Sequence, residues 1–294
     1  MRMHRRLPHA VPTRRPAARA ARLAVVAVAG LAAAGCGRIW PRTGSPGAPG
    51  TPGGEPAPAE KKKVVLPPPT TGPELVLRMN QRWVGKWYRT LQFRQENTVT
   101  TAAGAEQKST WMEYQVVPGK LRIDFLPATQ KSGVLFLDNV QRTYTNGKLT
   151  DTRRLVHGLL ALGADVYAVP PEQTMRALDS LKIDETKFYA TRGVRQMYIV
   201  GAAPGDTSSN QFWVDADSLL LRRFVQRTTN RGRTTVSDTR FTYQDVDGFP
   251  VPREVVFLRN GRPYLRELYT EVRVNAPLPE ELFDPALWGT ATRP

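Results

Sequence analysis

The sequence contains a single cysteine, Cys36, and the residues before it determine what chemistry it can do. Cys36 ends the stretch LAVVAVAGLAAAGC at 23 to 36, which follows a basic leader without acidic residues. The apolar run is too short for a membrane-spanning helix, but it suits the core of a signal peptide with small residues at the cleavage point. Without a second thiol, neither a disulfide nor a cysteine-based metal site can form. The pattern predicts that Cys36 is an attachment point.

Residues 31 to 36 resemble the lipobox of bacterial lipoproteins, in which the chain is cut just before a cysteine that is then acylated. The resemblance implies that residues 1–35 are a signal peptide and that Cys36 carries two or three acyl chains. At about 0.8 kcal/mol per buried CH₂, two or more chains anchor a protein to a membrane permanently. Gly37 stands where an aspartate would, in enteric bacteria, retain a lipoprotein in the inner membrane. We therefore expect an exported, lipid-anchored envelope protein, at the outer membrane and facing the periplasm.

The charge of the mature chain is moderate. Removing residues 1–35 removes seven arginines and no acidic residue, so the net charge falls from +16 to +9. Such a surface could face anionic headgroups. Nucleic-acid binding would require clustered charge and a recognisable motif, and the sequence has neither, so we expect no nucleic-acid partner.

The remaining chain divides into two parts. Residues 36–72 follow the leader and form the predicted tether. Its residues 37–72 include nine prolines and seven glycines. This composition cannot bury enough apolar surface to fold and predicts an extended chain. Residues 73–294 contain no second linker and are expected to form one β-rich domain, acting as a monomer.

Within this domain, helical and strand patterns alternate in blocks. Thr71 and Glu74 have the spacing of a capping box, and apolar residues then recur every four positions as far as Trp87, which predicts a helix with an aromatic stripe. Further helices are expected at 155–162 and 172–181. About ten or eleven strands surround them, joined by tight turns such as Asn146-Gly147. The fold class is therefore α+β: a large, curled antiparallel sheet, an unclosed β-barrel, with a few helices on its concave apolar face.

One face of the last strand, 262–274, is expected to be wet. The alternation places Tyr264, Leu268, Val272 and Val274 on one face and Glu267, Glu271 and Arg273 on the other. The same alternation in 121–125 sets Leu121, Ile123 and Phe125 against Arg122 and Asp124.

Residues with catalytic potential are few. His157 is the only histidine after the leader, and no Gly-x-Ser-x-Gly turn is present, so a serine hydrolase has no basis in the sequence. Histidine- or cysteine-based metal sites are excluded, and no nucleotide-binding glycine motif occurs, so we expect no metal and no cofactor. A pair of carboxylates that is close only in space, as in glycosidases, stays open, and two carboxylates within about 10 Å in a polar cleft would indicate an enzyme.

Several short segments resemble the LolA and LolB superfamily of bacterial lipoprotein carriers and outer-membrane lipoprotein-sorting proteins. They are Gly-Lys-Leu-Arg-Ile-Asp at 119–124, Phe-Trp-Val-Asp at 212–215 before 219–223, Tyr-Gln-Asp-Val-Asp-Gly-Phe-Pro at 243–250, and Leu-Phe-Asp-Pro at 282–285. The likeness spans 73 to 288. It implies an unclosed barrel with a helical lid around a hydrophobic cavity for acyl chains, and the anchor at Cys36 implies the membrane-bound, LolB-like role.

The leading hypothesis is a non-enzymatic carrier or acceptor of acylated ligands in outer-membrane sorting, with acyl chains of lipoproteins or envelope lipids as partners. The residues predicted to bind the acyl chain are Met79, Trp83, Trp87, Leu121, Ile123, Phe125, Phe136, Phe212 and Val214. Each of them could equally belong to a closed core. Two alternatives stay open: a tethered, non-catalytic interaction or structural protein with a filled core, and a hydrolytic enzyme. A continuous apolar cavity of a few hundred Å³ between helix and sheet would favour the carrier.

Overall fold

The structure is a computed structural model that describes residues 67–294. The predicted signal peptide, Cys36 and most of the predicted tether lie outside the described residues, so these expectations stay predictions.

The domain is built on one antiparallel sheet of 13 strands, which confirms the predicted fold class. The strands are β1 (Thr90–Thr100), β2 (Glu106–Val116), β3 (Lys120–Phe125), β4 (Gly133–Leu137), β5 (Val140–Thr145), β6 (Lys148–Arg154), β7 (Phe188–Ala190), β8 (Met197–Val200), β9 (Gln211–Asp215), β10 (Leu221–Asn230), β11 (Arg233–Val246), β12 (Phe249–Arg259) and β13 (Arg262–Val274). Their order across the sheet is β6-β5-β4-β3-β2-β1-β13-β12-β11-β10-β9-β8-β7. The first and last strands in this order are edges, so the sheet does not close.

Three α-helices accompany the sheet: α1 (Gly72–Trp83) before β1, and α2 (Gly158–Gly163) and α3 (Pro171–Ser180) between β6 and β7. The Thr71 hydroxyl accepts a hydrogen bond from the Glu74 amide at 3.2 Å, and Glu74 Oε2 accepts from the Thr70 amide, so the predicted start of α1 is confirmed. The Nδ1 atom of His157 accepts from the Leu160 amide and caps α2. Among residues 67–294, none of the helices has the length and apolarity that crossing a membrane requires.

Helix α1 is shorter than the aromatic stripe predicts. It ends at Trp83, and Gly85 then adopts φ +73, a left-handed conformation that turns the chain away from the helix. Trp87 nevertheless packs edge-on against Trp83 with ring centroids 5.4 Å apart. The stripe therefore reflects packing on a common core and not one continuous helix.

The main core lies between the helices and the concave face of the sheet. Leu75, Val76 and Met79 of α1 are fully buried there, together with Leu162 and Leu178 of the other helices. The helical layer lies toward one half of the sheet, because α1 contacts β8 and α2 contacts β10. A smaller apolar cluster on β3 and β4 is reached only by Leu160 of α2.

The opposite, convex face of β2 to β5 is covered by the C-terminal segment. Leu282, Phe283 and Trp288 of this segment pack against Tyr114 and Tyr144, and the Trp288 and Tyr144 rings stack at 4.2 Å. This covering buries polar positions of β3 that an alternating pattern would leave in water.

The faces predicted for β13 are wrong over its first half. Gln92 of β1 pairs with Arg273, whereas Arg94 pairs with Thr270, so β13 contains a bulge, and Glu271 in it adopts φ 50. The extra residue exchanges the two faces of the strand. Before the bulge Glu267 points to the concave face and Leu268 to the convex face, while after it Val272 packs into the main core.

Candidate functional site

The structure divides the nine residues predicted to bind acyl chains between two clusters. Met79, Trp83, Trp87, Phe212 and Val214 belong to the helix-covered main core. Leu121, Ile123, Phe125 and Phe136 belong to the smaller cluster on β3 and β4. Six of the nine are buried, and Trp83, Ile123 and Phe125 are half-buried. Ligand binding by these residues stays a prediction.

Ile123 and Phe125 lie on the part of the concave face that the helices leave open, and Trp111 joins them. Trp111 on β2 pairs with Phe125 on β3, with ring centroids 5.1 Å apart, and Ile123 pairs with Glu113. All three apolar side chains are half-buried. We refer to Trp111, Ile123 and Phe125 as the concave patch. It forms a short apolar strip on neighbouring strands with access to solvent.

Beside the concave patch lies a group of buried polar side chains on β1, β2 and β13. We refer to this group as the polar core, and it consists of Gln95, Asn97, Ser109, Glu113, Gln115 and Glu267. The strand register places them in two groups along the sheet. Asn97 pairs with Ser109 and with Glu267, whereas Glu113 and Gln115 lie farther along β2, opposite Phe93 and Leu91 of the main core. Glu113 and Gln115 are two residues apart on β2 and share its concave face.

Burial shifts the pKa of both carboxyl groups of the polar core upward. Burial raises the pKa of Glu267 to about 8, although a hydrogen bond with Gln95 opposes the shift. Burial raises the pKa of Glu113 well above its usual range, and the nearby Glu267 charge adds to the effect. Burial therefore favours the protonated form of each group, which donates through its O–H and accepts through its carbonyl oxygen.

Several donors of the polar core have no partner among the described residues. The Nδ2 atom of Asn97, the Nε2 atom of Gln115 and the hydroxyl of Ser109 are buried without a hydrogen bond. Within this group, Gln95 Nε2 donates a hydrogen bond to Asn97 Oδ1 at 2.7 Å. Unpaired buried donors are rare in folded proteins and cost about 1–3 kcal/mol each, and buried polar groups of this kind are commonly paired by ordered water.

Two pockets stand out in the described part of the chain, and both are at the surface. The first, of about 300 Å³, lies between Pro67–Pro69, the end of α1 and Leu219. The second, of about 270 Å³, is lined by polar residues such as Lys182, Asp184 and Arg227. The first lies at the edge of the helical layer, where α1 faces Tyr198 of β8, and it is open to solvent. Farther inside the main core, the side chains of Met79, Phe212 and Val214 are 0 % exposed.

The buried carboxyl pair Glu113 and Glu267 differs from a glycosidase pair. A glycosidase needs one carboxyl group protonated and the other ionised. The pKa values of Glu113 and Glu267 are both raised, and both side chains are more than nine-tenths buried. Burial lowers the pKa of His157 to about 4, and its ring packs edge-on against Phe136 at 4.5 Å, so it serves as a neutral cap. Within residues 67–294, no group of three or more His, Cys, Asp or Glu side chains could hold a metal ion.

Sequence reasoning missed both Trp111 and the polar core. Trp111, Glu113 and Gln115 occupy every second position of β2 and therefore share one face. An apolar residue followed by polar ones on one face indicates that the environment changes along the strand. Glu267 could not have been found, because the bulge that turns it inward follows from the backbone at Glu271 and not from the alternation.

Comparison with known proteins gives the fold. The sequence matches no protein-family model, and none of the curated proteins gives a significant match to it. An outer membrane lipoprotein-sorting protein domain from Vibrio parahaemolyticus superposes with a TM-score of 0.50 at 11% identity, covering 74% of this chain and 98% of that domain.

Two further solved structures are similar. One is a DUF1329 family protein from Desulfovibrio piger, with a TM-score of 0.49 at 15% identity over 74% of this chain and 97% of that one. The other is a LolA superfamily protein from Nitrosomonas europaea, with a TM-score of 0.45 at 12% identity over 74% of this chain and 99% of that one. The open 13-stranded sheet and its likeness to the lipoprotein-sorting domain show that the chain has a LolA/LolB-like fold.

Proposed function

We propose that the protein is a lipid-anchored, non-enzymatic envelope protein that holds the acyl chain of a lipoprotein or envelope lipid on its concave face. The observation that carries this proposal is the concave patch: Trp111, Ile123 and Phe125 stay partly exposed beside a buried core. An acyl chain laid on such a strip gains about 0.8 kcal/mol for each CH₂ it buries, so no ionisable group is needed. The likeness to a lipoprotein-sorting domain supports this type of ligand.

The ligand contact proposed here is smaller than the cavity expected from sequence. It uses Ile123 and Phe125 of the nine predicted residues and adds Trp111. Residues such as Met79 and Phe212 are buried in the main core and would contact a ligand only if the helices moved away from the sheet.

Binding of a fluorescent fatty acid to the purified full chain tests the proposal. Ile123→Glu places a charge in the concave patch and should weaken binding about tenfold or more. The matched control is Leu268→Glu, which changes a half-buried apolar residue on the convex face of β13. Equal binding by the two variants, or no uptake by the wild-type protein, contradicts the proposal.

The anchor is a separate part of the proposal. We propose that Cys36 is acylated and that the tether lets the domain fold independently of it. Cys36→Ser should then lose palmitate labelling and globomycin-sensitive processing, while the domain keeps its thermal unfolding midpoint. A Cys36→Ser protein that stays membrane-bound with its leader removed would show that the anchor and the outer-membrane location are both wrong.

A second candidate is a tethered interaction protein with a filled core, and the close packing under α1 favours it. It differs from the carrier in one measurable respect. An interaction protein purified under gentle conditions contains no lipid in native mass spectrometry, whereas a carrier retains an acylated ligand.

A further inference from the structure

The hairpin formed by β10 and β11 projects beyond the strands on either side of it. Strand β9 pairs with β10 as far as Val225, and Asn260, in the turn that follows β12, exchanges two hydrogen bonds with Val236. Beyond these contacts the hairpin continues from Thr228 to Asn230 on β10, roughly 10 Å, with no other strand of residues 67–294 beside it. Residues 229–234 are all exposed, so this projection contributes no side chain to a core.

Arginines occupy the tips of this hairpin and of its neighbour, and acidic residues do not. Residues 225–237 and 255–266 contain six arginines and no aspartate or glutamate. We refer to the five that lie in or near the two tips as the basic rim: Arg227, Arg231, Arg233, Arg259 and Arg262. All five are exposed, and within residues 67–294 none of them forms an ion pair. By contrast, Arg223 and Arg240 on the same strands both pair with Asp238.

The other end of the same strands carries both signs of charge. The turn between β11 and β12 contains Asp245 and Asp247, and Asp215, which precedes β10, pairs with Arg195 at 3.3 Å. Positive charge without acidic neighbours is therefore confined to one end of these strands. A surface of one sign attracts an anionic partner from solution, whereas a surface of mixed sign does not.

Aromatic and apolar side chains lie directly behind the basic rim on the concave face. The guanidinium group of Arg259 lies 3.6 Å from the centroid of the Tyr264 ring. One row further in, Phe257 pairs with Leu265, and Leu265 pairs with Val99, and all three side chains are half-buried. At a membrane surface, arginine reaches the phosphates while its stem and a tyrosine ring lie among the headgroups. The order of residues from the rim inward therefore suits a lipid surface better than a soluble acidic partner.

We propose that the basic rim docks the domain on an anionic lipid surface, with the projecting hairpin in contact with the headgroups. The strand ends, and not either face of the sheet, then meet the membrane. Each arginine close to an anionic membrane strengthens binding about fivefold, so the rim binds through several weak contacts and not through one site. The proposal is independent of the acyl ligand and of the anchor at Cys36, because neither enters the argument.

A fluorescent label at the rim tests contact with the membrane. Cys36 is the only cysteine, so a full chain with Cys36→Ser and one introduced cysteine is labelled at a single position. The fluorophore NBD is attached at Asn230→Cys, in the projecting hairpin, or at Gln196→Cys, an exposed position between β7 and β8 at the opposite end. On vesicles of equal parts phosphatidylglycerol and phosphatidylcholine, the emission of the Asn230 label should increase and shift to shorter wavelength. The Gln196 label should not change, and vesicles of phosphatidylcholine alone should change neither.

Two triple variants of the labelled Asn230→Cys chain locate the charge. The rim variant carries three substitutions: Arg231→Gln, Arg233→Gln and Arg262→Gln. The control removes three exposed arginines from the opposite end: Arg89→Gln, Arg192→Gln and Arg273→Gln. Both variants lose three positive charges, so a difference between them reports where the charges lie. The rim variant should bind the anionic vesicles about tenfold or more weakly, and the control should change by less than about threefold.

Several results would overturn the proposal. One is an Asn230 label that does not respond to anionic vesicles, and another is a Gln196 label that responds equally. Equal weakening by the two triple variants would mean that net charge, and not the rim, governs binding. Soluble polyglutamate is the last probe: if it changes the Asn230 label as the vesicles do, the partner is an acidic polymer and not a lipid surface. Thermal unfolding midpoints equal to that of the parent chain show that both triple variants are folded.

Discussion

Neighbouring strands of the sheet carry buried polar side chains on opposite faces, β3 on its convex face and β1, β2 and β13 on their concave face, and the two sets differ in how their hydrogen bonds are satisfied. On the convex face, Arg122 is fully buried with an Asp124 partner at 3.0 Å and the Trp288 ring at 4.0 Å. Its remaining N–H groups donate to the carbonyls of Leu282 and Trp288, and Arg293 donates to Asp124. We refer to Arg122, Asp124, Trp288 and Arg293 as the convex cluster.

On the concave face, the polar core keeps unpaired donors at Asn97, Gln115 and Ser109. Neighbouring strands therefore carry a satisfied network on one face of the sheet and unpaired donors on the other. A satisfied network holds a fold together, because breaking it costs much more than it contributes. An unsatisfied one weakens the fold. The contrast assigns a structural role to the convex cluster.

The largest expected effect lies in the convex cluster. Asp124→Asn keeps the shape of the side chain but leaves the buried Arg122 charge without its carboxylate. We therefore expect the free energy of unfolding to fall by about 3–5 kcal/mol. Asp151→Asn is the control, since Asp151 and Arg153 form an ion pair with both side chains more than two-fifths exposed. Its effect should stay below about 1 kcal/mol. Equal losses in urea unfolding would contradict the structural role of the convex cluster.

The next effect is the pH dependence of stability from the polar core. Between pH 4.5 and about 8, the native state keeps the proton on Glu267 while the unfolded chain has released it. This contribution to stability is therefore complete below pH 4.5 and is lost as the pH rises toward 8, by about 1.4 kcal/mol per unit. Over this window the loss amounts to a few kcal/mol.

Glu267→Gln removes this dependence, because glutamine does not ionise. Asp165, whose pKa burial raises to about 6, and His157, whose pKa burial lowers to about 4, titrate in both proteins and cancel in the difference. Glu113 loses only the part of its pKa shift that comes from Glu267, so the Glu267→Gln profile becomes flatter without becoming flat. We expect a flatter pH profile of the unfolding free energy for Glu267→Gln. Glu96→Gln, an exposed position on the other face of β1, serves as the control and should follow the wild type. A Glu267→Gln profile parallel to the wild-type profile would show that the carboxyl is hydrated and ionised.

The smallest expected effect is the change in unfolding free energy when a buried glutamine is replaced, on the concave face at Gln115 or on the convex face at Gln211. Gln115→Leu removes an unpaired donor from the ligand-free protein, so its stability should change by less than about 1 kcal/mol. Gln211→Leu leaves the Asp206 and Ser209 carbonyls and the Trp213 N–H without their partner, and should cost about 2–4 kcal/mol. The order of the two unfolding free energies decides the comparison, and the reverse order would mean that Gln115 is paired in solution.

The sequence predicted the fold better than the site. Local signals determine the hairpins and helix starts: Asn146 and Gly147 adopt φ values of 51 and 77 in the predicted turn, and Thr71 caps α1. It was harder to predict which face of a strand is buried, because this depends on backbone irregularities and on segments far away in the sequence. The bulge at Glu271 turns Glu267 inward, and the C-terminal segment covers Arg122 on what would otherwise be a wet face.

The candidate site was only partly predicted, and the reason is the same. Apolar alternation identified Ile123 and Phe125, but it cannot distinguish a filled core from a ligand surface, since both bury alternate side chains. Glu113 and Gln115 on β2 would ordinarily indicate a solvent-facing strand. Only the pairing of β2 with β1 and β3 places them beside Trp111, inside the concave face.

Quenching of tryptophan fluorescence by brominated lipid tests the central claim most directly. Phosphatidylglycerol with bromine on its acyl chains quenches indoles that the chains contact, and the proposed site places Trp111 in contact. Trp213 is the matched control, because it is also half-buried but lies on the convex face under the Arg223 guanidinium, 4.5 Å away. We predict that Trp111→Phe loses most of the quenching seen in the full chain and that Trp213→Phe keeps it. Undiminished quenching in Trp111→Phe would contradict an acyl-binding site on the concave face.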